Sequence, residues 1–349
     1  MIQKMKLYGW LPVFFSLLLF SSCERDPVVK EELPADNIYF VVPQGWPTPH
    51  YDFTGNALTK EGFVLGRRLF YDTKLSKDNT ISCGSCHQQF AAFAHLDHKV
   101  SHGIYGLLGT RNAPPIFNLN WHSEFMWDGG INHIEVQPLA PITNPVEMDE
   151  DMAVVVSKLQ GDATYPKMFK DAFGTDIITS QLAFKAMAQF MGMLISDKSK
   201  YDLYTRGEAT FTASELNGLS LFQQKCNTCH TAPLFTNLQY MNNGLDTVFA
   251  DAGRGKITMM AADSGTFKVP SLRNVALSPP YMHDGRFNTL EQVLEHYVHG
   301  VKNSATLSTE LTTPIVLSSG EKADIITFLK TLTDNTFIKD SRFKDPFTP

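Results

Sequence analysis

Two five-residue motifs share the pattern Cys-x-x-Cys-His and so place reactive side chains at the same spacing. They are Cys83-Gly84-Ser85-Cys86-His87 and Cys226-Asn227-Thr228-Cys229-His230. In such a motif two thiols form thioether bonds to one haem, and the adjacent histidine ligates its iron. A thioredoxin-like thiol pair and a zinc site are the alternatives, but a zinc site more often repeats Cys-x-x-Cys at short separation. Because these motifs are 143 residues apart and both carry the histidine, the sequence predicts two covalently bound haem c groups.

The remaining cysteine, Cys23, follows a segment that is typical of an export signal. Two lysines precede an apolar run over residues 7–20, and two serines stand directly before the cysteine. The run is too short and too interrupted to span a bilayer. Small residues before a cysteine resemble a bacterial lipobox, in which the cysteine is lipidated after cleavage. We therefore expect a signal peptide over 1–22, a tether over 23–45, and an exported protein on the periplasmic side or in the cell envelope, lipid-anchored through Cys23.

Length and composition narrow the remaining possibilities. The chain has 349 residues, of which 43% are hydrophobic and 19% charged, and its formal net charge is −6. Disordered, collagen-like and coiled-coil proteins have different compositions. No long lysine or arginine run occurs, so nucleic acid is not an expected partner. The length is that of about two ordinary domains.

The chain also repeats itself after each haem motif, at a constant shift of 156 residues. Residues 125–129 match 281–285, and Asn118 matches Asn274. An apolar helical stretch precedes each motif as well. The sequence therefore predicts a mainly α fold of two tandem cytochrome c-like haem domains with long loops. We expect the N-terminal haem domain over 46–200 and the C-terminal one over 201–349.

Apolar residues at helical spacing predict further helices, and a polar stretch predicts a break between the domains. The break covers residues 198–207. The predicted helices cover residues 151–159, 181–195, 289–298 and 321–332.

Together these motifs resemble those of the bacterial di-haem cytochrome c peroxidase family, including its MauG branch. The resemblance covers about residues 50–345. It rests on both haem motifs and on residues 109–114, 125–129, 144–148, 270–274 and 280–285.

The resemblance implies a role for each matching residue near the first haem. His87 would ligate the peroxidatic haem. Glu147 would be the general acid/base, and Gln137 would hydrogen-bond peroxide. Trp127 would lie between the two haems and shorten the electron path. From the residues alone, Glu147 could instead be a helix-start carboxylate and Trp127 a core residue.

The two halves differ at the position that the resemblance assigns to the sixth iron ligand. Tyr297 occupies it in the second half, whose haem His230 would hold, and Pro141 occupies the aligned place in the first half. Proline cannot ligate iron, so the first haem would be open for chemistry. Much of the family has methionine where the MauG branch and this chain have tyrosine. Met282, His296 and His283 are the alternative ligands.

Two further sites are implied by the resemblance. A displaceable histidine on the first haem would be His102, unless it is only a solvated loop residue. One calcium would be bound by the Asn112 side chain and the carbonyls of Ser278 and Pro280, with waters completing the shell.

The expected function is reduction of H₂O₂ to water by a cytochrome c peroxidase, an oxidoreductase. The electron donor would be a small cytochrome c or copper protein, and the resemblance also implies a homodimer. One alternative is a MauG-like oxidase acting on a protein, which Tyr297 favours. The other is a di-haem electron carrier without turnover.

Overall fold

The computed structural model describes residues 38–348. The predicted signal peptide, the lipidation at Cys23 and most of the predicted tether lie outside the described residues. Within residues 38–348, no helix is both long enough and apolar enough to cross a membrane.

The described chain consists mainly of helices and long loops, with one small antiparallel sheet. The strands are β1 (Tyr240–Met241) and β2 (Phe267–Lys268), with Tyr240 opposite Lys268. A π-helical turn over His296–Gly300 continues the tenth α-helix. The α-helices are α1 (Lys60–Tyr71), α2 (Cys83–Cys86), α3 (Leu139–Thr143), α4 (Met152–Gln160), α5 (Tyr165–Phe173), α6 (Ser180–Gly192), α7 (Lys200–Thr205), α8 (Ala213–Lys225), α9 (Gly255–Thr258), α10 (Leu290–Glu295) and α11 (Ser319–Lys330).

Each half is built around one closely packed pair of helices. In the first half α1 packs on α6, and in the second α8 packs on α11. A glycine lies at each crossing: a Cβ atom on Gly66 would collide with the carbonyl oxygen of Ala186, and one on Gly218 with that of Asp324. Only a residue without a side chain lets the backbones approach so closely. The two pairs use the same packing solution, which confirms two tandem, mainly α domains.

Each helix pair has its own aromatic core. The first core includes Phe63, Phe70 and Phe190, which are almost completely buried. The second includes Phe222, Phe235 and Phe328. Rings of both sets meet at tilted angles with centroids 5.1–6.2 Å apart, within the range of favourable aromatic pairs.

The C-terminal segment returns to the first core. Phe337 and Phe343 pack in that core, and their ring centroids lie 5.5 and 6.4 Å from the centroid of Phe93. The hydroxyl of Tyr71 donates to the carbonyl of Phe343 at 2.8 Å, and the amide of Gln89 donates to that of Asp340 at 2.8 Å. The last residues of the chain therefore cover the N-terminal haem motif region.

The backbone repeats the pattern found in the sequence. Asn118 and Asn274 both have left-handed backbone angles and both precede a single 3₁₀ turn. Their side chains meet at one residue, because Asn118 donates to the carbonyl of Ser196 at 3.2 Å and Asn274 to its hydroxyl at 2.9 Å. Met126 and Met282 likewise share a positive φ. The repeat thus extends from residue types to backbone conformation.

The predicted helices are present, with shifted ends. The helix expected over 181–195 is α6, which ends at Gly192, and that expected over 321–332 is α11. The helix expected over 151–159 is α4, and that over 289–298 is α10 with its π turn. The predicted polar break over 198–207 contains α7. Ser199 and Asp202 form its capping box, a local signal that the charged composition hid.

Candidate active site

His87 is held so that one ring nitrogen is available to a metal. It follows α2 directly, and its Nδ1 hydrogen-bonds the carbonyl of Phe93 at 3.0 Å. This bond fixes the tautomer and leaves Nε2 as the lone-pair atom. Burial lowers the pKa of His87 to about 4, so the ring is neutral, as a ligand must be.

His230 is arranged in the same way in the second half. Its Nδ1 hydrogen-bonds the carbonyl of Phe235 at 3.2 Å, and burial lowers its pKa to about 4. Phe93 and Phe235 both have positive φ, which turns each carbonyl toward its histidine. The two motifs are therefore alike in hydrogen bonding as well as in sequence.

A cavity of about 800 Å³ lies beside the first motif. Cys83, Cys86 and His87 line it together, so the three residues of the motif that could hold a haem border one space. The volume is that of a site for a large cofactor rather than a single ion. With two thiols, a neutral imidazole and this volume, the cavity fits a covalently bound haem.

The predicted catalytic side chains converge on this cavity. Glu147, Gln137, Pro141 and Trp127 all line it. Pro141 lies in α3, and Gln137 precedes that helix, with its amide nitrogen 3.8 Å from the sulfur of Met126. Residues that are distant in sequence from His87 therefore share its cavity.

Glu147 is partly buried and held by two neighbours. Burial raises the pKa of Glu147, while hydrogen bonds from Ser101 and Asn144 oppose the increase. The Ser101 hydroxyl donates to Oε1 of Glu147 at 3.1 Å. A carboxyl with a raised pKa at a cavity wall is suited to exchange protons near neutral pH.

The loop after the first haem motif is fastened to Glu147. The backbone N–H of Ile104 donates to the carbonyl of Glu147 at 2.8 Å. At Gly103 a Cβ atom would collide with the carbonyl of Val146, so the loop lies directly on this segment. Sequence reasoning missed Ser101. The available signal was its position next to His102, because a loop that carries a predicted haem ligand must lie at the haem cavity.

His102 is exposed at the edge of the cavity and lines it. It lies in a series of histidine rings: the centroids of His98 and His102 are 4.9 Å apart, and His95 stacks on His98 at 4.0 Å. His95 is buried, and burial lowers its pKa to about 4. Ligation of iron by His102 stays a prediction.

Trp127 lies where the two halves meet. Its indole Nε1 donates to the carbonyl of Asn112 at 2.8 Å. Its own carbonyl accepts the N–H of Lys268 in β2 at 2.8 Å. The indole is therefore held by Asn112 of the first half and the backbone of Trp127 by Lys268 of the second, and Trp127 lines the cavity.

Tyr297 lies in the π-helical turn, near enough to the second haem motif for its two thiols to influence the phenol. Burial raises its pKa to about 12, a hydrogen bond from the Asn243 side chain lowers it, and the thiols of Cys226 and Cys229 raise it further. All three alternative ligands have other contacts. Nε2 of His296 is 2.9 Å from the carbonyl of Asn243.

The remaining alternatives, Met282 and His283, also contact protein groups. The sulfur of Met282 is 3.3 Å from the Asn243 amide nitrogen. The ring of His283 stacks on Phe267 with centroids 3.7 Å apart. Ligation of the second haem iron by Tyr297 stays a prediction, as do the alternatives at Met282, His283 and His296.

The predicted calcium ligands come from both halves. Asn112 is buried, and its amide nitrogen is 3.1 Å from the carbonyl of His98. Its backbone N–H donates to the carbonyl of His283 at 2.7 Å, which brings Asn112 to the segment that includes Ser278 and Pro280. In the described part of the chain, no group of three or more His, Cys, Asp or Glu residues is placed to hold a metal ion.

Comparison with known proteins identifies the family. A sequence model described as di-haem cytochrome c peroxidase matches residues 60–210. The methylamine utilization protein MauG of Methylorubrum extorquens is 35% identical over 310 residues, covering 87% of this chain and 86% of that protein. The cytochrome c551 peroxidase of Nitrosomonas europaea is 33% identical over 292 residues, covering 82% of each chain.

A solved structure agrees in fold. It is a MauG-like protein associated with microbial copper homeostasis, with a TM-score of 0.82 and 35% identity over 88% of this chain and 99% of that one. The predicted family and fold class are thus confirmed. The chain belongs to the di-haem cytochrome c peroxidase family, which also contains MauG.

Proposed function

We propose that this protein reduces H₂O₂ at a haem held by Cys83, Cys86 and His87. The observation that supports the proposal is the convergence of Glu147, Gln137 and the ligand histidine on one cavity. Family membership implies two haem c groups. When bound, the first haem supplies redox-active iron that exchanges electrons with peroxide.

The protein's own groups manage the protons. Glu147, when ionised, takes a proton from one peroxide oxygen and returns it to the other, so that water leaves. The Gln137 amide orients peroxide by hydrogen bonding. Two electrons and two protons convert one H₂O₂ into two water molecules. Pro141, which lines the same cavity and cannot ligate iron, would not compete with the substrate for the haem.

The second half would receive the electrons. Cys226, Cys229, His230 and Tyr297 would hold the second haem. A phenolate ligand is anionic and hard, so it stabilises ferric iron and lowers the reduction potential relative to methionine. Trp127, between the halves, would shorten the electron path. The donor would be a small cytochrome c or copper protein.

A MauG-like oxidase is the second candidate function. In that reaction the electrons come from a side chain of a protein substrate rather than from a redox carrier. Tyr297 is the observation that favours it, together with the similarity to proteins named MauG and MauG-like.

The experiment is stopped-flow absorption of the diferric protein mixed with H₂O₂. A fast spectral change supports a first haem that is open at rest. Reaction only after one haem is reduced supports a peroxidase gated by His102 or a neighbour. No reaction in either state contradicts both enzymes and leaves a di-haem carrier. Steady turnover with a reduced small cytochrome c then separates the peroxidase from the MauG-like oxidase.

The cellular setting completes the proposal. Export with lipid attachment through Cys23 follows from the N-terminal sequence. The Asn112 side chain with the carbonyls of Ser278 and Pro280 would bind calcium at the junction of the halves, and two copies would form a homodimer. We also propose a boundary between the two haem domains after residue 200. His102 would be the displaceable ligand of the first haem iron, and Tyr297 the sixth ligand of the second.

A further inference from the structure

Lys268 brings a positive charge from the second half of the chain to the cavity of the first. It lies in β2, and its side chain lines the cavity beside His87. The ammonium Nζ donates to the backbone carbonyl of Glu124 at 2.7 Å. Among residues 38–348 no carboxylate lies within 4.0 Å of this ammonium, so its charge has no direct counter-ion.

The acidic side chains nearest to Lys268 are already paired with arginines. Glu124 accepts from Arg254 at 2.9 Å and from the Tyr240 hydroxyl at 2.8 Å. Asp128 accepts from Arg111 at 2.6 Å. Burial lowers the pKa of Lys268 to about 8, a desolvation cost that an anion in the cavity would relieve.

His122 adds a second unsatisfied group to the same wall. Its ring stacks on Phe125 with centroids 6.2 Å apart, and Nζ of Lys268 lies 6.0 Å from the centroid of Phe125. Nδ1 of His122 is buried and, within residues 38–348, has no hydrogen-bond partner. A buried polar atom without a partner costs free energy, so natural proteins rarely keep one without a purpose.

We propose that Lys268 and His122 form the binding site for a propionate of the haem held by His87. The thiols of the motif bond to the vinyl groups, so the propionates are the only anionic substituents that this haem brings into the cavity. A carboxylate accepts charge-assisted hydrogen bonds from an ammonium and an imidazole N–H. Among residues 38–348, Lys268 and His122 are donors on the cavity wall that are shielded from solvent and have no carboxylate in hydrogen-bond contact.

The other cations on the cavity wall are less suited to this role. Arg111 also lines the cavity, but Asp128 and Asp251 occupy its guanidinium at 2.6–2.8 Å. Lys256 lines it too, but its side chain is exposed to solvent. Lys256 is therefore a matched control for Lys268, since it has the same charge at the same cavity.

Through Lys268, the second half of the chain would influence the electrostatic potential at the first haem. A cation at the propionate stabilises the reduced, less positive iron, and so raises the reduction potential. The same residue holds Trp127 through its backbone N–H. The inference requires a haem at His87 but does not depend on which reaction the enzyme catalyses.

The test compares Lys268→Met and His122→Phe with Lys256→Met in the holoprotein. The readouts are the potential of each haem and the propionate-bending bands in the resonance Raman spectrum. We expect Lys268→Met to lower the potential of the first haem and leave the second unchanged. We expect His122→Phe, which keeps a ring against Phe125, to shift the propionate band.

Lys256→Met should change neither quantity. Unchanged propionate bands in both site variants would overturn the proposal. So would a potential shift as large in Lys256→Met as in Lys268→Met. None of these readouts uses peroxide turnover, so a failure of the proposed function would be distinguishable from a failure of this site.

Discussion

Trp127 and His283, which occupy equivalent positions in the two halves, are joined through a single residue, Asn112. The indole of Trp127 donates to the Asn112 carbonyl at 2.8 Å, and the Asn112 N–H donates to the His283 carbonyl at 2.7 Å. The repeat has thus diverged from an indole in one half to an imidazole in the other while keeping both at the junction. Of the two residues, Trp127 lines the cavity beside His87 and His283 does not.

Replacing Trp127 with phenylalanine should slow electron exchange between the halves. The variant keeps a ring in the cavity wall but loses the hydrogen bond to Asn112 and the more readily oxidised indole. Rapid mixing of the half-reduced protein with H₂O₂ measures the rate at which the second haem is oxidised. An unchanged rate would show that the path does not use Trp127. Trp46→Phe, away from the cavity lining, is the matched control.

Replacing Glu147 with glutamine should abolish most peroxide turnover. The amide keeps the shape but cannot accept and return a proton, and general acid–base catalysis contributes about 10²–10⁴-fold. H₂O₂ consumption with a reduced donor measures the effect, and reductive titration shows whether both haems still accept electrons. Turnover within a few-fold of the native protein would remove Glu147 from the mechanism.

Replacing Ser101 with alanine should move the acid limb of the pH–rate profile to higher pH. Burial raises the pKa of Glu147, and the Ser101 hydrogen bond partly opposes it, so removing the bond raises the pKa further. In the proposed mechanism Glu147 acts first as the ionised base, so activity should fall as the pH drops through this pKa. In a Glu147→Gln background the Ser101 change should have no effect on the profile. A shift that persists there contradicts the link.

Replacing Tyr297 with phenylalanine should change the absorption and EPR spectra of the second haem only. Loss of the phenol removes the proposed sixth ligand while keeping the ring that packs in the turn. Tyr297→Met should instead raise the potential of that haem, since a thioether favours ferrous iron. An unchanged spectrum in Tyr297→Phe would show that Tyr297 is not the ligand. The alternative ligands Met282, His283 and His296 would then be replaced one at a time.

Replacing Asp202 with asparagine should destabilise the protein at neutral pH by about 3–5 kcal/mol, because it leaves a buried arginine unpaired. Arg273 is 1% exposed and makes two hydrogen bonds to Asp202 at 2.7 and 2.8 Å. Burial alone would raise the pKa of Asp202, but the hydrogen bonds and charge of Arg273 outweigh it and lower the pKa.

The stability from this pair is therefore present above the unfolded pKa of about 4 and is lost as the pH falls through the lower folded pKa. Thermal unfolding at neutral pH and at successively lower pH should show the gap between native protein and Asp202→Asn closing in acid. Asp171→Asn, in an exposed pair with Lys167, should cost under about 1 kcal/mol at every pH. A gap that stays constant would contradict the assignment.

Much of the fold could be predicted because the haem motifs and the repeat carry strong local signals. The spacing of Cys83, Cys86 and His87 specifies covalent chemistry, and the apolar periodicity around each motif specifies helices. Polar composition misled the prediction at α7, because Ser199 and Asp202 form a capping box inside a charged segment. Capping is a pairwise signal that composition does not record.

The candidate site was less accessible to sequence reasoning. Glu147 and Gln137 were identified through family spacing, whereas Ser101, Lys268 and His122 carry no motif. Their importance depends on contacts between segments more than 40 residues apart, such as that between Ser101 and Glu147. Such contacts follow from how the loops cross the cavity, and no periodicity in the chain encodes that.

The C-terminal segment sets an order of events during biosynthesis. Phe337 and Phe343 pack against Phe93, whose carbonyl hydrogen-bonds the ring of His87. Phe337 and Phe343 are synthesised after both haem motifs. The core of the first half can therefore be completed only when the C-terminal segment is present. A chain stopped at residue 335 would lack Phe337 and Phe343. We expect the resulting loss of packing to affect the first haem motif, although that motif is distant in sequence.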